Sequence, residues 1–160
     1  MTIQPGDKVP DITLVRVCTN GPDKIATGAY FKGRRIVLFS VPGAFTPTCS
    51  AKHLPGFITE AEAFKDKGVD EIVCTAVNDP FVMAAWAKAS AVDDRVTLLA
   101  DGNGEFVRAL GLDMDCTGFG LGMRGRRFAM IVGDGTVEQL FVEAPGEFEV
   151  SAAEYVLARL

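Results

Sequence analysis

An α/β fold, with a central mixed β-sheet flanked by helices, is what the order of apolar patterns predicts for these 160 residues. Three observations carry the expectation. Short continuous apolar runs, bounded by turn residues, have the length and β-branched content of buried strands. Between the first two runs lies a segment with apolar residues at three- and four-residue steps, as a helix presents them. The chain then ends in a glycine-centred hairpin signal and one more helical stretch, so the sheet cannot be purely parallel.

Each element follows from its own residues. Asp11 to Val17 alternates apolar and polar positions, as a half-exposed strand does, and Arg35 to Val41 is the continuous run of a central strand that Pro42-Gly43 stops. From Pro47 to about Lys67 the pattern is helical, through Leu54, Phe57, Ile58, Ala61 and Phe64, with Gly68 as the closing cap. Pro55 inside it predicts a kink in one helix rather than two helices. Glu71 to Val77 is a second buried strand, Asn78-Asp79-Pro80 a cap with proline at the first helical position, and Phe81 to Ala91 a helix. Arg95 to Leu99 is a third strand. A short helix over Glu105 to Leu110 follows, then an exposed loop over Thr117-Gly118-Phe119-Gly120-Leu121-Gly122. Phe128 to Val132 and Val137 to Val142 flank Gly133-Asp134-Gly135-Thr136 as a hairpin, and Ser151 to Leu160 reads as a capped terminal helix. Without repeats or linkers, residues 1–160 are expected to form a single domain, and this element order suits a thioredoxin-like fold.

Composition narrows the function. A chain with 48% hydrophobic and 23% charged residues is neither disordered nor fibrous. Sixteen Lys and Arg against twenty-one Asp and Glu give a net charge of −5, so no basic field draws nucleic acid to it. Met1 to Asp7 lacks the basic start and apolar run of a signal peptide, and no run approaches the ~18 apolar residues of a membrane span. A soluble, cytoplasmic protein is expected. Its four cysteines, Cys18, Cys49, Cys74 and Cys116, include no C-x-x-C pair, and His53 is the single histidine. They read as intracellular thiols, and no metal or other cofactor is expected.

Chemistry concentrates in Ser40-Val41-Pro42-Gly43-Ala44-Phe45-Thr46-Pro47-Thr48-Cys49, which leads from a buried strand into a helix. Thr46 suits the cap and Pro47 the first helical position, so Cys49 falls in the first turn, near unpaired backbone N–H groups and the positive end of the helix dipole. That setting favours thiolate, the nucleophilic form, over thiol. Thr46 can bring its hydroxyl near the sulfur or a substrate oxygen, and Pro42 shapes the strand exit and shields the pocket. A lone cysteine is more often inert packing, but packing does not require proline, threonine and cysteine together at such a junction. His53, four residues on, shares the helical face of Cys49 like a dyad partner, yet a general base is needed mainly for a thiol not already ionised. Trp86 and Met83 read as packing residues, and neither Cys18, beside a Thr19-Asn20-Gly21-Pro22 turn, nor Cys116 has an activating context.

The P-x-x-x-T-x-x-C spacing of Pro42, Thr46 and Cys49 resembles the peroxidatic motif of the peroxiredoxins. Cys49 to Phe57, Val77 to Met83 and Arg127-Phe128-Ala129-Met130 are similar to the type II, or atypical fifth-class, subfamily, and the likeness runs over essentially the whole chain. The resemblance implies a thioredoxin-like fold and attack of Cys49 on hydrogen peroxide or an organic hydroperoxide, leaving a sulfenic acid that glutaredoxin with glutathione, or thioredoxin, reduces. It implies no metal, haem or flavin, and a homodimer, for which Phe45, Phe81, Phe119 and Leu121 in exposed segments are candidate contacts. Arg127 resembles the family's active-site arginine, and His53 a pocket-support residue. Cys74 stands where plant type II members carry a second cysteine, either as a resolving residue or as a buried core thiol. The C-terminal resolving cysteine of mammalian members is replaced by Glu149-Val150-Ser151. Two alternatives remain: a thiol-disulfide oxidoreductase, which shares the fold but against which Lys52 occupies the place of a second C-x-x-C cysteine, and a redox-sensing or chaperone-like binding module whose Cys49 signals by oxidation rather than by turnover.

Overall fold

In the computed structural model, described here for residues 1–160 other than Thr19, the strands are β1 (Thr13–Cys18), β2 (Gly21–Ala26), β3 (Arg35–Ser40), β4 (Glu71–Ala76), β5 (Thr97–Ala100), β6 (Asp113–Asp115), β7 (Met123–Gly125), β8 (Phe128–Gly133) and β9 (Thr136–Val142). The helices are α1 (Thr27–Tyr30), α2 (Leu54–Thr59), α3 (Ala61–Asp66), α4 (Pro80–Ala89), α5 (Glu105–Leu110) and α6 (Ala153–Leu157), with a π-helical turn at Cys49–His53 and a 3-10 turn at Thr117–Phe119. One sheet runs in the order β2-β1-β5-β4-β3-β8-β9. Its β3–β4 and β4–β5 pairs are parallel and the others antiparallel, which is the mixed α/β arrangement the sequence predicts.

Strand β3 lies inside the sheet, with both its faces covered. Val37 and Phe39 of β3, with Ile72 and Cys74 of β4 and Leu98 of β5, face the layer built by Leu54, Phe57, Phe64, Met83 and Trp86. Ile36, Leu38, Val73 and Leu99 point the other way, onto Phe31, Phe106 and Leu110. The two-residue alternation of strand side chains thus divides one apolar run between two cores. Local signals hold where they rest on near neighbours. Asp79 accepts from the N–H groups of Phe81 (2.8 Å) and Val82 (2.9 Å), with Pro80 at the first helical position. Gly68, at φ +87°, ends α3 as Val69 N–H reaches the Phe64 carbonyl (3.1 Å) and Gly68 N–H that of Lys65 (2.9 Å). Asp134 (φ 48°) and Gly135 (φ 77°) turn the β8–β9 hairpin in the left-handed region such a turn needs.

Elsewhere the structure corrects the pattern. The stretch 47–67 is not one kinked helix. The π-helical turn, in which Leu54 N–H bonds the Cys49 carbonyl, comes just before Pro55, and a break at Glu60 separates α2 from α3. Pro55 cannot donate to the previous turn, and the extra residue of a π-turn absorbs that loss ahead of it. Thr19 of the anticipated turn lies outside the described residues, while Gly21 and Pro22 open β2, an edge strand where a missing N–H costs no ladder bond. The β6–β7 ribbon flanking the glycine-rich loop carries too few residues to show alternation. Nor is the terminal helix side-chain capped: α6 starts after Ala152, and Ser151 Oγ donates instead to Glu143 (2.6 Å).

Candidate active site

The parallel pairing of β3 with β4 continues one bond beyond the strand, Val41 N–H to the Thr75 carbonyl (3.2 Å), and then the chain turns. Ala44 N–H donates to Asn78 Oδ1 (2.9 Å), and Phe45 sits at φ 64°, a left-handed conformation that costs an aromatic residue energy and is held by its surroundings. Thr46 begins the helix through its carbonyl, which accepts from Ser50 N–H (3.0 Å). Its hydroxyl is not spent on a backbone cap. It lies 2.8 Å from Cys49 Sγ and 2.7 Å from the Gly43 carbonyl.

A second donor reaches the same sulfur from the far side of the chain. The β3–β8 register pairs Ser40 with Phe128, which sets Arg127 beside the strand exit, and Arg127 Nη2 stands 3.2 Å from Cys49 Sγ. Its Nη1 donates to His53 Nδ1 (2.8 Å), while His53 Nε2 faces the Ser151 carbonyl at 3.0 Å. A carbonyl only accepts, so Nε2 carries the ring proton and Nδ1 is the acceptor. Burial first, and the Arg127 charge second, lower the His53 pKa to about 3, so the ring is neutral. Phe39, Phe57 and Phe148 pack around the imidazole, and Phe148 lies under the guanidinium, 5.8 Å from its carbon to the ring centre.

Ser151 is anchored in turn. Glu143 Oε2 accepts from Glu149 N–H (2.7 Å), Ser151 N–H (2.8 Å) and Ser151 Oγ (2.6 Å). Burial opposes the Glu143 charge, but these donors together hold its carboxyl below the usual carboxylate value. Glu143 to Ser151 to His53 to Arg127 is therefore one connected support for a guanidinium pointed at sulfur. Sequence reasoning missed Glu143, Phe148 and Ser151, whose only sequence signal was a presumed cap at Ser151. It also missed the tie between Trp86 Nε1 and Ser50 Oγ (3.0 Å), which pins the turn carrying Cys49 to α4.

Cys49 is buried, and a narrow cleft of about 140 Å³ beside it is lined by Pro42, Thr48, Met114, Arg126, Arg127 and Glu143 among others. Pro42, Thr46, Cys49, His53 and Arg127 are thus brought together. Cys74, opposite Phe39 in the β3–β4 register, is buried in the same core cluster as Cys49. Burial pushes its thiol well up, repulsion from Cys49 adds to this, and Arg127 opposes it. All four cysteines are free thiols. Cys18 ends β1 and Cys116 precedes the 3-10 turn, and neither shares the hydrogen bonds around Cys49. Met83 and Trp86 are buried in the core. Chemically, two positive or neutral donors on one sulfur stabilise a thiolate and the negative charge that builds on an oxygen it attacks.

The redoxin family model matches residues 4–157. The chain is 49% identical to Peroxiredoxin-2B of Arabidopsis thaliana over 158 residues, covering 97% of this chain and 96% of the relative. It belongs to the peroxiredoxins. A rice relative, the chloroplastic Peroxiredoxin-2E-2 of Oryza sativa, is 51% identical over 164 residues, 99% of this chain and 73% of that protein. Among solved structures, reduced Prx3 of Vibrio vulnificus in complex with hydrogen peroxide superposes with a TM-score of 0.95 at 48% identity over 99% of each chain. This peroxiredoxin is accordingly a thiol peroxidase with a thioredoxin-like fold and an antioxidant function.

Proposed function

We propose that Cys49 is the peroxidatic thiol and that residues 1–160 act as one peroxidase domain on hydrogen peroxide and organic hydroperoxides. The observation that carries this reading is the convergence of Thr46 Oγ1 (2.8 Å) and Arg127 Nη2 (3.2 Å) on Cys49 Sγ. The Cys49 thiolate attacks one peroxide oxygen in line with the O–O bond. The S–O bond forms as the O–O bond breaks, the other oxygen leaves with the electron pair, and a proton completes water or an alcohol. Sulfur ends as a sulfenic acid. Thr46 and Arg127 donate to the peroxide oxygens as charge moves onto the leaving one. Pro42 walls the pocket, and His53, neutral and already committed to Arg127 and Ser151, acts as a positioning residue rather than a base.

One external thiol then displaces water from the sulfenic acid to give a mixed disulfide, and a second thiol releases Cys49. Glutathione or glutaredoxin is our preferred reductant, with thioredoxin as the other candidate and a Cys49–Cys74 disulfide as a slower route. Cys74 is poorly placed for speed, because burial disfavours its thiolate and bridging demands that the two Cα atoms come within ~7 Å. We place the protein in the cytoplasm as a homodimer associating through Phe45, Phe81 and Phe119, which are 53%, 75% and 86% exposed, and half-buried Leu121, two residues after Phe119. Light scattering at micromolar concentration should report the mass of two chains.

Steady-state peroxide consumption with excess glutathione is the deciding assay. Wild type turns over repeatedly, while Cys49→Ser keeps the fold and loses all turnover. Oxidation that stops after one equivalent would identify a sensor instead. Cys74→Ser should retain turnover with glutathione, and its complete loss with every reductant would make Cys74 obligatory.

A further inference from the structure

Two arginines line the cleft beside Cys49 and a third is tied to its Pro42 wall, in a chain whose net charge is −5. Arg124 Nη1 donates to the Pro42 carbonyl (3.3 Å) and its Nε to that of Leu121 (2.9 Å). Arg126 and Arg127 line the cleft itself. None of the five ion pairs among the described residues involves any of the three. Arg127 is committed to Cys49 and His53. Arg126 is not: half-buried and on the cleft lining, it makes one side-chain hydrogen bond, from Nη2 to the Glu143 carbonyl (3.2 Å), which leaves most of its five N–H donors without a protein partner.

Two carboxylates share these walls and do not neutralise it. Glu143 is turned beneath the segment leading to Ser151, where three donors occupy one of its oxygens, and Glu147 is exposed at the rim. A guanidinium fixed on a cleft wall, next to the residues that flank the reactive sulfur and without a protein counter-ion, matches a planar anion that enters the cleft.

We propose that Arg126 is a specificity-determining residue that docks a carboxylate carried by one of the two molecules that react at Cys49, either the reducing thiol or the hydroperoxide. The inference rests on Cys49 being the reacting centre. A cleft of about 140 Å³ suits the acidic end of a small molecule, so the carboxylate aligns the reacting thiol or peroxide group with sulfur.

The test compares kcat/KM of wild type and Arg126→Gln for two matched pairs: glutathione against 2-mercaptoethanol as reductant, and linoleic acid hydroperoxide against tert-butyl hydroperoxide as oxidant. For one pair the ratio of the acidic to the neutral member should fall by about tenfold or more, the scale of one charge-assisted hydrogen bond. Arg126→Lys should restore part of it, and added salt should erode the wild-type preference. The pair that responds identifies the source of the carboxylate. Unchanged ratios in both pairs overturn the proposal, and so does an equal loss for acidic and neutral members, which marks a structural role. Failure of the peroxidase reading shows separately, as a wild-type protein that turns over neither neutral pair member. In that case NMR titration with S-methylglutathione, which cannot react, and with linoleate decides: a shifted Arg126 Nε–H signal supports the docking site, and no shift with either overturns it.

Discussion

At the scale of single residues, the site is a matter of who donates to one sulfur atom. Arg127 reaches Cys49 Sγ at 3.2 Å and is itself held at 2.8 Å by a histidine that burial keeps neutral. Removing one preorganised electrostatic donor of this kind costs on the order of 100-fold in rate. Arg127→Ala should therefore slow peroxide reduction by about that factor without altering the far-UV circular dichroism spectrum. Stopped-flow kinetics showing the wild-type rate constant would reduce Arg127 to a bystander. Its role was only half legible in advance. Arg124-Gly125-Arg126-Arg127 reads as an ordinary basic surface run, and nothing within it distinguishes the guanidinium that reaches the sulfur from the two that do not.

At the scale of elements, glycine decides how closely one ribbon approaches another. A Cβ on Gly125 of β7 would lie 2.9 Å from Val107 Cγ1 and 3.0 Å from Ser40 Oγ, so the bare backbone is what lets β7 settle on the end of β3. That seating positions Arg126 and Arg127, the next two residues. Gly125→Ala should cost ~1–3 kcal/mol of stability by overpacking. It should also slow the peroxide reaction, since the strand leading into both arginines must shift. Urea midpoints and stopped-flow rates measured on the same sample check the two effects together, and a destabilised but fully active variant would show that the arginines do not depend on this contact. The Cys49 helix makes the related point. Pro55 announces a disturbance, but whether the chain answers with a kink, a π-turn or a break depends on what packs around it, and here Trp86 and Phe57 pack against the layer that receives the π-turn.

At the scale of the whole molecule, burying a histidine makes stability depend on pH. The His53 pKa falls from 6.5 to about 3 on folding, so between these values the unfolded chain binds a proton that the folded chain refuses. Stability with respect to His53 is complete above the unfolded value and is lost progressively as pH falls from about 6.5 toward 3. Glu143, whose folded pKa lies below its ordinary 4.5, adds a loss in the same direction at the acid end of that window. Chemical denaturation across this range should show the decline, and His53→Gln should flatten its upper part. An unchanged slope in that variant would assign the acid sensitivity to the carboxylates alone.

What the sequence determined by itself was a set of caps, turns and spacings whose partners lie within a few residues. Asp79 and Pro80 start α4, Gly68 closes α3, the Asp134-Gly135 turn folds β8 onto β9, and the Pro42, Thr46 and Cys49 spacing sets a thiol in the first turn of a helix. Such interactions are encoded in periodicity and capping chemistry, which a linear reading can follow. Tertiary structure decided what meets the thiol. Arg127 comes from 78 residues away because β8 pairs with β3, and Ser151 reaches His53 across 98 residues because the segment after β9 folds back under Glu143. The same pairing leaves Arg126 on the cleft wall without a counter-ion. No local pattern records which strands become neighbours, since many registers bury the same apolar residues. The sheet order selects one of them, and with it the electrostatics of the site.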